Sequence, residues 1–381
     1  YTSSDSAFEH NMCAEIGVLR GFFVATVLLD LTKAYDLVRP SQLFKEGILW
    51  GYPPRMLWML IQQYRIPRRL KGHGSVSDEV CSNQGLLAGC THAGGMLEIL
   101  TLRAFLRIKT APVSLQPRML VDDVSIQYVG PDKDGIEQLA KAVQAFQQDS
   151  YQLGSRFNFK KSGMVAATRP SRTAAIKVRG RIPVRSWMRN LGHETMGVRP
   201  ARRQEHDRLS NLLKRRHRLL MFRGVGGRKS SILWRSGAQP AVGHGSGVSG
   251  TSEDALRQMR AVAALVVGAP PRASNTPYLY CQWQLRYDPI FDATTSMLCI
   301  IHCFIWDGRV PLSDVRNAWA ELVPRVQAGL TWAGVRGPIA AAFLTLRRIG
   351  WDFASPHHWR DDQGVIYGLL HVAPSDMKGF L

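Results

Sequence analysis

The chain has 381 residues, 45% of them hydrophobic, and a net charge of +20, which allows two or three domains with real cores in an ordinary globular balance. No apolar run reads as a membrane span, and the N-terminus lacks the basic-then-apolar order of a secretory signal; a start without Met reads as a fragment or trimmed domain. Six scattered cysteines form no disulfide framework, so a reducing, intracellular compartment is expected.

The charge is unevenly placed. Between Arg156 and Arg235 there are 22 Lys and Arg against three acids, Glu194, Glu205 and Asp207, so this window carries nearly all of the excess. A block this one-sided attracts polyanions, and nucleic acid is the partner it implies first. It has too few bulky apolar residues for an interfacial helix, so no membrane partner is expected.

In chain order, Phe8, Met12, Ile16 and Leu19 recur at helical spacing over 5–20, with Ser4 or Asp5 placed to cap. The β-branched and aromatic run from Phe22 to Leu29 predicts a strand covered on both faces, ending at Asp30. Pro40 opens a helix to about Trp50, and a second follows over 54–65. Residues 70–81 read as a hairpin, and 81–90 as a glycine-punctuated loop leading into a helix over 91–109. Met119–Ile126 places Asp122 and Asp123 between two short strand-like runs, the pattern of a tight hairpin over about 117–129 with carboxylates at its tip. A helix over 135–153, short strands after Arg156 with a hairpin near 181–192, and a basic helix over 199–223 follow. Residues 235–252 read as a Gly/Ser-rich connector and a domain boundary. A capped helix over 255–267 and a mainly helical, tryptophan-bearing remainder complete the chain, with the tryptophans read as core.

An isolated Asp30 would be read as a helix cap or a strand-end carboxylate facing water. The second acidic element changes that reading. Three carboxylates at strand ends suit hard divalent cations, above all Mg²⁺, with Mn²⁺ as an alternative. Two such ions assist an in-line phosphoryl displacement. The set Cys299, His302 and Cys303 lacks a second ligand pair nearby and reads as packed helix rather than zinc site.

Five motifs in sequence carry a resemblance. Asp30-Leu31-Thr32-Lys33-Ala34-Tyr35-Asp36, Asn83-Gln84-Gly85, Leu120-Val121-Asp122-Asp123, Asn158-Phe159-Lys160-Lys161-Ser162 and Leu191-Gly192 together resemble the reverse transcriptase palm and primer-holding hairpin of retrotransposons without long terminal repeats, over about residues 20–223. The resemblance implies an RNA-directed DNA polymerase. Asp30 and Asp122 would be the principal metal ligands and Asp123 a supporting one; Leu31, Tyr35, Gln84 and Gly85 would meet the nucleotide, and Asp36 would be structural. Tyr35 reads either as a core aromatic or as a ring that excludes a 2′-hydroxyl, and Lys161 either as a proton donor to pyrophosphate or as one more phosphate contact. Leu191, Gly192, Arg199, Arg202, Arg203, Lys214, Arg215 and Arg216 would bind nucleic acid. RNA template, DNA primer and dNTP are the implied partners and the nucleus the implied location. Leu120 in place of an aromatic, and Leu86–Cys90 in place of a Pro-Leu-Ser run, point to a divergent branch; the upstream fingers segment is not recognisable.

The expected fold is therefore α+β. It comprises a palm over 1–190 (an antiparallel sheet with packed helices), a primer-grip hairpin and basic helical thumb over 191–234, the linker 235–252, and a helical extension over 253–381. The rival expectation is a catalytically silent nucleic-acid-binding remnant, with RNA-directed RNA synthesis third.

Overall fold

A computed structural model of the chain describes residues 2–87, 89–198, 202–221, 227–267 and 288–381. They divide into two compact units: Phe23–Arg185, and Tyr1–Phe22 together with Ser186–Leu381.

The first unit is built on a five-stranded sheet in the order β4-β5-β1-β6-β7. Its strands are β1 Phe23–Asp30, β4 Leu115–Leu120, β5 Asp123–Gly130, β6 Gly163–Ala166 and β7 Val184–Arg185, with a separate small hairpin of β2 Lys71–Gly72 and β3 Ser75–Val76. All pairs in the large sheet are antiparallel except β6 with β7. Between Phe23 and Asp30 the six inner residues of β1 are buried, as an unbroken apolar run requires. Alternate residues Ala25, Val27 and Leu29 meet Val124, Ile126 and Tyr128 of β5 and side chains from three helices, α4 Ala93–Lys109, α5 Asp134–Gln152 and α6 Arg169–Val178. A second cluster gathers Leu43 of α2 (Pro40–Leu49), Leu57, Leu60, Ile61 and Tyr64 of α3 (Pro54–Arg65), and Met96, Leu97 and Leu100 of α4. Helix α6 was not anticipated. Its signal was present in Thr168, which caps the Ser171 N–H, with Pro170 in the first turn.

In the second unit, α1 (Ser3–Leu19) is capped by Thr2 in a reciprocal box with Asp5 rather than by Ser4 or Asp5. Phe8, Met12 and Ile16 share one core with Phe304, Trp319 and Phe343, so the helix expected in the palm belongs with the C-terminal elements. The hairpin of β8 (Arg189–Asn190) and β9 (His193–Glu194) turns through Leu191 and Gly192. The basic helix breaks at Arg215 into α7 Arg203–Lys214 and α8 Arg216–Met221. Leu209 and Leu212 point inward, whereas Leu213 is 40% exposed. Leu209 and Leu212 share a core with Trp234 and with Leu256, Met259 and Val262 of the helix Glu253–Val267.

The predicted linker is wrong as a linker. Residues 234–249 form short helices, Trp234–Ala238 (a π-helical turn), Gln239–Gly243 and Ser246–Ser249, with Trp234 and Val248 each 1% exposed. The glycines serve close packing. A Cβ on Gly247 would sit 3.2 Å from the Ser296 carbonyl oxygen, and one on Gly250 would strike the Trp332 ring. The C-terminal region is also less helical than expected: Asp352–Ser355, His358–Arg360 and Ile366–Gly368 form an antiparallel three-stranded sheet. Strands of three or four residues show fewer than two periods of alternation, too few to read. Trp319, Trp351 and Trp359 are core, Trp306 is 42% exposed, and Trp283 lies outside the described residues. Among the described residues one helix, Pro289–Trp306, is long and apolar enough to cross a membrane by length and composition, contrary to expectation; over half of it is buried, with Met297, Leu298 and Ile301 in the core.

Candidate catalytic centre

Register brings the acids together. In the β1–β5 ladder Asp30 stands directly opposite Asp123, and such Cα partners lie about 4.5–5.5 Å apart. Leu120 pairs with Asp123 to close a two-residue turn, Val121-Asp122, so the third carboxylate follows at once. Because side chains alternate, Asp30 and Asp123 lie on the face of Thr26, Leu28, Ser125 and Gln127, away from the helix-packed core. Val121 turns the chain with φ +60°, a left-handed conformation that costs a β-branched residue about 1–3 kcal/mol.

The turn Asn158–Ser162 holds Asp30 from the other side. The Asp30 carbonyl accepts the Asn158 N–H (2.9 Å), and its own N–H donates to the Ser162 hydroxyl (3.1 Å). The turn is closed by the Asn158 carbonyl, which accepts from Lys161 and Ser162 N–H, and by its side-chain oxygen, which accepts from Lys160 N–H. This gives the spacing of Asn158 and Ser162 a physical reason that their sequence positions alone did not supply. Lys161 Nζ lies 3.7 Å from Asp30 Oδ1 with its side chain 69% exposed, a weak ion pair at the rim.

Tyr35 lies within reach of the Asp122 charge in the Val121-Asp122 turn. Burial first, then the charges of Asp122 and Glu98, raise its phenol above the usual range. Glu98, exposed on α4, was missed because a lone acid on a helix carries no sequence signal. The Gln84–Gly85 loop is fixed against Tyr35 by main chain: Leu86 N–H donates to the Tyr35 carbonyl and Gly85 N–H to the Val38 carbonyl, both 2.8 Å. Gly85 needs to be glycine, since its φ is +95° and a Cβ would lie 3.2 Å from the Asp36 carbonyl oxygen. Gln84 is exposed. Leu31 is 5% exposed in the core and bridges Phe157, so its side chain is not available to a nucleotide; only its main chain could meet one.

Asp30, Asp122 and Asp123 are hard oxygen donors at backbone positions that can share a divalent cation. As their side chains stand, no group of three His, Cys, Asp or Glu among the described residues converges on one point. Their donor chemistry suits a hard divalent cation such as Mg²⁺, and Asp30 is 30% exposed at the side chain.

In the second unit Arg203, Lys214, Arg215 and Arg216 are exposed, with Arg203 over the Trp187 ring. Arg202 is a correction to the interface reading: it pairs with Glu205, donates to the Ser249 and Gly250 carbonyls and stacks on Trp332. Gly192 is also turned inward, its carbonyl accepting from Arg208, while Leu191 is half-buried. Both turn residues have positive φ, +50° and +83°, as a tight two-residue hairpin requires. Arg199 lies outside the described residues. His302 Nε2 donates to the Leu369 carbonyl oxygen (2.9 Å) from within the packed helix Pro289–Trp306.

No family model and no curated protein matches the sequence. Among solved structures the chain is similar to telomerase from Candida albicans in complex with a TWJ fragment of telomeric RNA, at 11% identity and a TM-score of 0.43 over 87% of this chain. The chain spans about half of that one, 53%.

Proposed function

We propose that the chain is the polymerase core of an RNA-directed DNA polymerase of the kind carried by retrotransposons without long terminal repeats, adding dNTPs to a primer 3′-hydroxyl on an RNA template. The carrying observation is the pairing of Asp30 with Asp123 in register, with Asp122 in the adjoining turn. Asp30, Asp122 and Asp123 would hold Mg²⁺, which when bound activates the attacking hydroxyl and stabilises the leaving oxygen. The residues themselves have separable tasks. The Asn158–Ser162 turn fixes the Asp30 main chain. The Gly85 turn holds the loop against Tyr35, whose ring would exclude a ribose 2′-hydroxyl. Lys161 Nζ, 3.7 Å from Asp30 Oδ1, would either give a proton to departing pyrophosphate or serve as one more phosphate contact. The exposed cations of α7 and α8 would take backbone phosphates.

A second reading is favoured by one observation. The three carboxylates are not drawn together and Asp30 is engaged by Lys161, as in a binding protein that has lost turnover. Primer extension on an RNA template with Mg²⁺ decides between them. The first reading expects extension by the wild type and a fall of about 100-fold or more in Asp122→Ala, beyond what loss of a supporting ligand contact costs, with template-primer affinity retained. Equal background in both proteins would leave only the binding role.

A further inference from the structure

Behind the Leu191–Gly192 turn, within the second unit, lies a cavity of about 60 Å³ lined by His193, His244, Arg202, Arg208, Glu194 and Glu205 among others. A water needs about 10–15 Å³ on this measure, so the space suits a group of about four or five heavy atoms. His193 is 3% exposed, and among the described residues neither of its ring nitrogens has a hydrogen-bond partner. Buried polar atoms in this state cost free energy unless something meets them. The His244 ring stands beside it, with centroids 4.7 Å apart.

The charges around the space are unequal in availability. Glu194 Oε1 accepts the Gln204 N–H at 2.8 Å, and Glu205 is taken by Arg202 and by Ser252. Arg208 forms no ion pair within 4 Å among the described residues, although the Glu194 charge acts on it; one of its amino groups donates to the Gly192 carbonyl, leaving further N–H donors of the planar fork. Burial, then the neighbouring His244 and the cations Arg208 and Arg189, pushes His193 down to about 3, and burial with the same cations lowers His244. A neutral imidazole beside a guanidinium offers an N–H donor to an anion without adding a buried charge of its own.

We propose that this cavity binds a small tetrahedral oxyanion of the phosphate class, held by Arg208 together with His193 and His244. The site is separate from the carboxylates of the sheet and does not rest on the polymerase reading. Its depth favours a free anion over a phosphodiester of bound nucleic acid, because His193 has almost no exposed surface for a strand to reach.

Inorganic phosphate is the probe. Titration calorimetry on the full chain should show saturable one-to-one binding, accompanied by a phosphate-dependent rise in melting temperature. Arg208→Gln should weaken binding at least about tenfold, Arg208→Lys should weaken it less, and Arg257→Gln, on an exposed side chain paired with Asp254, should leave it unchanged. Absence of saturable binding in the wild type would overturn the proposal, as would undiminished binding in a folded Arg208→Gln protein. An oligonucleotide without terminal phosphates that displaced the bound phosphate would overturn the assignment to a free anion. No displacement supports it.

Discussion

At the scale of single residues, the acids were legible because each follows an apolar run that has no use for charge. What the sequence did not show is how little of the surrounding chemistry comes from named motif positions. Ser162 and Asn158 act through bonds to the Asp30 main chain, and Glu98 joins Asp122 as a second acid acting on Tyr35. Leu31 looked like part of a nucleotide site because of its place in the motif, but its side chain follows the strand's alternation into the core. Tyr35 yields a sharp prediction. If its ring excludes a 2′-hydroxyl, Tyr35→Ala should raise the ratio of NTP to dNTP incorporation by about tenfold or more, within the reach of pocket discrimination against an added hydroxyl. Competition assays with paired rNTP and dNTP would read this, and an unchanged ratio would return Tyr35 to the role of a core aromatic.

Among elements, length decided what could be read. The long periodic helices α3, α4 and α5 and the acidic hairpin were found with bounds close to those observed, whereas the short C-terminal strands were not. Glycine and serine misled for a different reason: composition does not distinguish a chain that needs freedom from one that needs close approach, and Gly247 and Gly250 are of the second kind. The junction of α1 with the helix Pro338–Arg348 shows a contact no local pattern reveals. Glu15, 3% exposed, accepts the N–H groups of Ile339 (2.6 Å) and Ala340 (3.1 Å) at that helix start. Burial outweighs these donors and raises its carboxyl from 4.5 to about 7. The native state therefore binds this proton more tightly than the unfolded chain. The contribution is full below about pH 4.5 and is lost as pH rises through about 7, on the order of 3 kcal/mol. Stability against urea should fall over that range in the wild type and lose this component in Glu15→Gln; identical pH profiles would contradict it.

For the whole molecule, α+β architecture was anticipated but its partition was not. The sequence suggested a palm, a thumb and a tethered extension in series, whereas the chain divides into Phe23–Arg185 and a unit that gathers both ends. Burial of α1 against residues some 300 positions away is a long-range contact that composition along the chain cannot register. The basic block was legible as charge, and its surface cations include Arg203, Lys214, Arg215 and Arg216. If these residues bind single-stranded template, log affinity should fall linearly with log salt, by about 0.7 for each phosphate neutralised; a flat salt profile would remove the block from the interface. Polymerase chemistry in this chain requires Asp30, Asp122 and Asp123 to share divalent ions. The direct measurement is the electron paramagnetic resonance signal of free Mn²⁺, titrated with protein in the presence of template-primer and dNTP. The account predicts a clear loss of free signal with the wild type that is abolished in Asp30→Asn/Asp122→Asn; equal Mn²⁺ uptake by the two proteins would contradict it.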